Sequence, residues 1–383
     1  MRQTGDQAQR WDVFCRVIDN HGDLGVCWRL ARRLAALGRR VRLWVDDARA
    51  LQWMAPGGAP RVDVLPWREL RADELPGNVV VEAFGCDPPP GFVARMGTLP
   101  APPVWINLEY LSAERYVERS HGLASPQLAG PGRGLTKWFF YPGFGPATGG
   151  LLHEPELERE RTAFVPEPWL ASIGVPPLAG ARRVSLFCYE QPAIGAALER
   201  WSAESTQLLV TPGPPAAQVA AWLGVPGTPH EEARHRALQA HFLPWLSQPG
   251  YDRLLWSCDL NHVRGEDSLV RAMWARRPFV WQLYPQHDDA QHTKLEAFLD
   301  TYLAGVDTAA AQPLRRRFRA WNGHPAEDAD AAFGEPAPPG WAAMATARGA
   351  AFEAEAVGGG DLAQRLCDFA ARHGARASVP RLE

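Results

Sequence analysis

The sequence predicts an α/β protein of two doubly wound, parallel-sheet domains with a cleft between them, and three observations carry this. Short apolar runs alternate with amphipathic segments along most of the chain, the pattern of a sheet covered on both faces. The alternation breaks once, in a stretch rich in Pro, Gly and Glu before residue 180, and then restarts. The chain's 383 residues suit two or three domains at about 150 residues each.

Taken in order, residues 11–18 read as a buried strand, 24–37 as a helix that stops at Gly38, and 41–45 as a second strand. Strands are expected next over 62–66, 79–84, 104–108 and 137–141. Residues 141–150 form a loop, and 151–180 show little periodicity. In the second half, strands are expected at 184–189, 207–210, 237–242, 260–263 and 279–284. Helices are expected at 193–203, 251–257, 266–275, 288–303 and 361–371. The division expected is 1–178 and 179–357, the first domain completed by a helix near 358–376. In such sheets ligands sit at the carboxyl ends of the strands.

Composition excludes several classes. Lys plus Arg is 40 against 43 for Asp plus Glu, a net charge of -3, so bulk nucleic-acid affinity is not expected. The first residues lack the apolar core of a signal peptide, and no apolar run is long enough to span a membrane. The six cysteines show neither CxxC nor zinc spacing, and several sit in apolar runs, as buried reduced thiols do in a cytoplasmic protein.

Two loops carry candidate chemistry. The first, Ile18-Asp-Asn-His-Gly-Asp-Leu-Gly25, joins the first strand to the first helix and places Asp19, Asn20, Gly22 and Asp23 at a sheet edge. Two carboxylates there can serve as a base and its partner, although Asp23 could simply cap the helix and Asp19 close an Asx turn. The second, Leu260-Asn-His-Val-Arg-Gly-Glu-Asp-Ser268, opens a helix with Glu266, Asp267 and Ser268, whose backbone N–H groups would bind an anion such as a diphosphate. Arg264 can fork onto phosphate oxygens. Acidic residues in a first turn are also ordinary capping chemistry, but Arg264 is misplaced for that. Phe187, Tyr189, Trp245, Tyr251 and Tyr284 gather near this loop and could stack on a nucleobase, although any one aromatic is more commonly core. There is no GxGxxG, no P-loop and no nucleophile elbow. His287 and His292 are five apart, a poor metal spacing, and Arg315-Arg-Arg-Phe-Arg319 reads as a solvated helix face.

The chain resembles the protein-arginine rhamnosyltransferases that modify bacterial translation elongation factor P. The resemblance rests on Val17-Ile-Asp-Asn-His-Gly-Asp-Leu-Gly-Val-Cys-Trp-Arg-Leu-Ala-Arg32, Trp105-Ile-Asn-Leu-Glu-Tyr-Leu-Ser112, Ser120-His-Gly-Leu123 and Lys137-Trp-Phe-Phe-Tyr-Pro-Gly143. It continues through Tyr251-Asp-Arg-Leu-Leu-Trp-Ser-Cys-Asp-Leu-Asn261, Val263-Arg-Gly-Glu-Asp-Ser268 and Pro278-Phe-Val-Trp-Gln-Leu-Tyr-Pro-Gln286, and fades after about residue 303. It implies a GT-B architecture, two facing Rossmann-like domains with an interdomain cleft, the acceptor on the N-terminal side and the donor held mainly by the C-terminal domain. The implied donor is TDP-β-L-rhamnose, the acceptor one arginine of elongation factor P, and the anomeric configuration inverts without metal or other cofactor.

Matched by position, the resemblance gives Asp23 as general base, Asp19 as its companion and Glu266 as the essential glutamate. The implied donor contacts are Asn20, His21, Gly22, Phe187, Tyr189, Gln248, Arg264, Gly265, Asp267, Ser268 and Tyr284. Trp245 stands where the family has Phe; His21 and Leu24 stand where Phe and Ile are commoner; Gln282 and Asp288 match loosely. Rival readings are a GT-B enzyme with another sugar nucleotide or a small-molecule acceptor, a non-catalytic binding module, and a nicotinamide enzyme, which the missing GxGxxG disfavours.

Overall fold

The computed structural model describes residues 9–18, 21–71, 73–285 and 290–376. The chain separates into two compact units, residues to Glu154 together with those from Glu355, and Pro155–Ala354. The first boundary therefore lies before the expected 178/179. The cause is packing: Leu170 and Val175, from the stretch that lacks periodicity, bury against Leu209, Leu243 and Leu254 of the second unit. That stretch also holds two short helices, Leu157–Ala163 and Pro166–Ser172.

The first unit contains β1 (Arg10–Cys15), β2 (Arg40–Val45), β3 (Val62–Pro66), β4 (Val79–Ala83), β5 (Val104–Leu108), β6 (Ala124–Pro126) and β7 (Thr136–Phe140). They form a sheet of order β3-β2-β1-β4-β5-β7-β6, parallel except for β6 against β7. Alternate residues of β1 face opposite sides: Trp11, Val13 and Cys15 join one core cluster, Phe14 the other. The first cluster takes Leu24, Leu30 and Leu34 from the helix Gly22–Ala36, and Leu362, Leu366 and Phe369 from the helix Leu362–Arg376. Between the strands, buried Asp12 accepts Arg42 Nε at 2.6 Å and Nη2 at 2.8 Å, Trp44 Nε1 at 2.9 Å and the Gly77 N–H at 2.6 Å. A Cβ at Gly77 would lie 2.4 Å from the Arg10 carbonyl oxygen, so this approach requires glycine.

The second unit contains β8 (Arg182–Leu186), β9 (Thr206–Val210), β10 (Glu232–His235), β11 (Leu238–Phe242), β12 (Leu260–Arg264) and β13 (Phe279–Gln282). Their order is β10-β11-β9-β8-β12-β13, parallel except for β10 against β11. The sequence reading omits β6 and β10, short edge strands without an apolar run. It also overruns several strands: β1 ends at Cys15, β4 at Ala83 where Phe84 turns to φ 59°, β8 at Leu186 and β13 at Gln282.

Beyond residue 303 lie the helices Thr308–Trp321, Ala329–Gly334 and Trp341–Gly358. The Arg315–Arg319 run is not simply a solvated face. Arg319 Nε meets Glu296 Oε1 at 2.6 Å, Arg315 Nη2 meets Asp300 Oδ1 at 2.6 Å, and Arg317 is buried. These pairs brace the helix Ala290–Tyr302. All six cysteines are buried thiols outside any disulfide. No helix among the described residues is long and apolar enough to cross a membrane.

His262 on β12 is fully buried between Trp201 and Trp321, with ring centroids 5.1 and 4.3 Å away, and neither ring nitrogen has a hydrogen-bond partner. Burial, reinforced by Arg317 and Arg182, pushes its pKa well below the ordinary value. Burial similarly holds His121 at about 4. Both rings are neutral in the fold and take a proton on unfolding below about pH 6.5, so their contribution is complete above that pH and is lost as pH falls. Thermal unfolding followed from pH 7.5 to 5.5 should show declining stability, with His262→Leu removing up to about 1.4 kcal/mol per pH unit of the slope.

Candidate active site

In each sheet the strand order reverses beside the unit's first strand, between β1 and β4 and again between β8 and β12. Loops leaving the carboxyl ends of such neighbours diverge and open a crevice, the usual place for a ligand.

In the first unit Asp19 and Asn20 lie outside the described residues. His21 precedes the helix; its carbonyl accepts the Gly25 N–H at 2.9 Å, and its ring stands edge-on to Trp53. Gly22 begins the helix. Asp23, 3% exposed, accepts the Ile18 N–H through Oδ2 at 2.9 Å, and its Oδ1 lies 3.4 Å from the Tyr110 hydroxyl. The carboxylate thus ties the start of the helix back to Ile18, three residues beyond the end of β1. Tyr110 stacks on Phe84, centroids 4.4 Å apart and 13° from parallel. Phe84 adopts a left-handed φ of 59°, rare for a bulky residue and a sign of a shaped site. Gly85 donates its N–H to Asn107 Oδ1 at 3.1 Å, and Asn107 Nδ2 donates to Glu109 at 2.6 Å. Phe84 and Tyr110 are additions to the expected site; the signal for Tyr110 was its place in the Trp105–Ser112 motif.

In the second unit Arg264 ends β12 and is 8% exposed. Its guanidinium lies 4.5 Å from the Phe187 ring centroid and 4.4 Å from that of Tyr189, and Nη1 donates to the Cys188 carbonyl at 3.3 Å. Two of the expected stacking aromatics therefore form the bed of this cation. Phe187 stands edge-on to Tyr251 at 5.4 Å, and Tyr189 edge-on to Tyr284 at 5.3 Å. Trp245 and Tyr284 are each 48% exposed. The 189–190 segment is clamped by Gln282, which accepts the Tyr189 N–H at 2.8 Å and donates to the Glu190 carbonyl at 3.2 Å.

Gly265, φ 67°, turns the chain into the helix Gly265–Ala275. The N-cap residue, Arg264, makes no side-chain capping hydrogen bond, and Glu266 and Asp267 stand in the first turn. Glu266 meets Lys294 Nζ through Oε1 at 2.6 Å. Ser268 is buried, and Asp267 and Ser268 lie in the surroundings of the Tyr251 phenol. Burial raises that phenol above its usual range, with Asp267 and Asp252 adding and Ser268 and Arg264 opposing. Gln248 is buried at the start of the helix Gln248–Ser257, whose cap Ser247 accepts the Gly250 N–H at 3.2 Å.

A buried bidentate ion pair ties the middles of the two helices to each other: Arg271 Nε and Nη2 each meet an Asp252 oxygen at 2.8 Å. Among the described residues no three His, Cys, Asp or Glu side chains group so as to hold a metal; His287 and Asp288 lie outside them.

Two Rossmann-like units, one with a carboxylate at its switch point and the other with a cation-backed helix start, define a GT-B glycosyltransferase. The family model described as Elongation-Factor P (EF-P) rhamnosyltransferase EarP matches residues 11–371, and the chain belongs to that family. The protein-arginine rhamnosyltransferase of Pseudomonas putida is 45% identical over 329 residues, 82% of this chain and 86% of the relative. That of Shewanella oneidensis is 39% identical over 328 residues, 78% and 82% of the two chains. A solved structure concerning EarP-mediated arginine glycosylation of translation elongation factor EF-P matches with a TM-score of 0.67 at 32% identity, covering 97% of this chain and 100% of its own.

Breaking the Arg271–Asp252 pair from one side leaves a buried carboxylate uncompensated. Arg271→Met should destabilise the protein by about 3–5 kcal/mol, read from the urea midpoint, and the loss should be much smaller when Asp252→Leu is added.

Proposed function

We propose that this protein transfers L-rhamnose from TDP-β-L-rhamnose, with inversion, to an arginine side chain of translation elongation factor P. The observation that carries the donor half is Arg264, held over Phe187 and Tyr189 immediately before the Gly265 helix start. Fixed guanidinium charge and backbone N–H groups are suited to a diphosphate, and would neutralise it as it leaves without a metal ion. Trp245 and Tyr284 offer half-exposed rings for the thymine and sugar, while Gln248, Gly265, Asp267 and Ser268 line the two helix starts.

The acceptor half falls to the first unit. An arginine guanidinium, with a pKa above about 12, is a weak nucleophile. Asp23, held by the Ile18 N–H, accepts an acceptor N–H proton while the nitrogen attacks the anomeric carbon. The C–N bond forms as the C–O bond to the diphosphate breaks, and TDP departs with that electron pair. Asp19 would hold Asp23 or the guanidinium in place, and Asn20, His21 and Gly22 would contact the donor. Glu266 fixes the donor. Such an enzyme works where its translation-factor substrate is, in the cytoplasm, and binds neither nucleic acid nor membrane as part of its task.

Intact mass of elongation factor P after incubation with TDP-β-L-rhamnose measures the reaction. Asp23→Asn and Glu266→Gln should each slow the rhamnose mass gain about a hundredfold or more. Excess EDTA should leave the parent rate unchanged; collapse on chelation with recovery on Mg²⁺ would overturn the metal-free mechanism. Full rates in both variants would sink the assigned roles.

Calorimetry tests the donor residues separately. Tyr189→Ala and Arg264→Ala should each weaken TDP binding by about five- to a hundredfold. Unchanged affinity in both folded variants would move the donor site elsewhere.

A further inference from the structure

The proposed diphosphate position carries an electrostatic conflict. A helix start with backbone N–H groups attracts an anion, yet Glu266 and Asp267 both stand in its first turn. Against those two carboxylates Arg264 alone leaves the turn formally negative, an unfavourable place for a nucleoside diphosphate. Lys294 evens the charge: its Nζ lies 2.6 Å from Glu266 Oε1, with both side chains mostly withdrawn from water. An exposed pair on two flexible side chains would mean little. Here partial burial lowers the effective dielectric and strengthens the contact.

The lysine also arrives on a rigid support. Its helix, Ala290–Tyr302, buries Leu295, Phe298, Leu299 and Tyr302. Arg319 grips Glu296 of that helix at 2.6 and 2.7 Å, from the helix Thr308–Trp321. Asn322, immediately after, accepts the Leu283 N–H at 2.9 Å and donates to the Trp281 carbonyl at 2.8 Å, fastening the brace to the end of β13.

We propose that Lys294 is a positioning residue for the donor site, neutralising and orienting Glu266 so that a nucleoside diphosphate can occupy the Gly265 helix start. This rests on the donor reading above and adds a residue to it. Removing the lysine leaves a carboxylate that repels the diphosphate; removing the carboxylate as well abolishes the repulsion. A lysine that merely stabilised the fold would not show that reversal.

The test uses the full chain, TDP as calorimetric probe and the elongation factor P assay. Lys294→Met should weaken TDP by about tenfold and raise donor KM more than it lowers kcat. Lys294→Met combined with Glu266→Gln should recover part of the TDP affinity that the single variant loses, while transferring rhamnose about a hundredfold or more slowly than the parent. Lys294→Arg should keep donor KM near the parent value, and its recovery together with that of the double variant excludes misfolding. Unchanged TDP affinity in Lys294→Met, or a double variant as weak as the single one, overturns the inference about Lys294 alone. A parent that binds no TDP overturns the donor reading itself, and this inference with it.

Discussion

In both sheets the chain starts in the interior and leaves in opposite directions, and the rest of the molecule's chemistry depends on this constraint. From β1 it builds β2 and β3 on one side, then crosses to β4 and β5 on the other; from β8 it does the same with β9 and β11, then β12 and β13. Right-handed crossovers place the connecting helices on opposite faces, so the loops after the two central strands diverge. Asp23 and Phe84 emerge from one such gap, Phe187, Tyr189 and Arg264 from the other. No long insertion is needed to assemble either group.

Strand–helix alternation was readable in the sequence because the central strands are buried on both faces and therefore appear as uninterrupted apolar runs, as in Val79-Val-Val-Glu-Ala83. What was missed follows from the same rule. β6 and β10 lie at edges and bury little, so no apolar run announces them. The 151–180 stretch shows little periodicity and falls mostly within the expected first domain, yet Leu170 and Val175 dock it onto the second unit. The residue types of the candidate site were legible, but their arrangement was not: nothing in spacing shows that Phe187 and Tyr189 lie beneath Arg264. Lys294 was invisible because it meets Glu266 across twenty-eight positions and an intervening strand. Phe84 was read as the end of a strand because a left-handed backbone leaves no mark in apolar periodicity.

Packing Arg264 against aromatic faces rather than a carboxylate has a functional logic. A carboxylate partner would satisfy the guanidinium so well that an incoming phosphate would have to displace it. Ring faces hold the cation through their quadrupoles and leave its hydrogen-bonding edge less committed. The hydrogen bond that Nη1 donates to the Cys188 carbonyl, at 3.3 Å, fixes the direction of the fork without neutralising its charge. By contrast Arg271, which serves as scaffold, is fully matched by Asp252.

The helix Leu362–Arg376 gives Leu362, Leu366 and Phe369 to a core otherwise built from residues before 155. During synthesis the ribosome therefore delivers the nested unit, about two hundred residues of contiguous chain, before the first core can close. Until then the β1–β7 sheet has an apolar face without its final cover, in a chain whose other half can already fold. The core that is begun first is completed by residues made last.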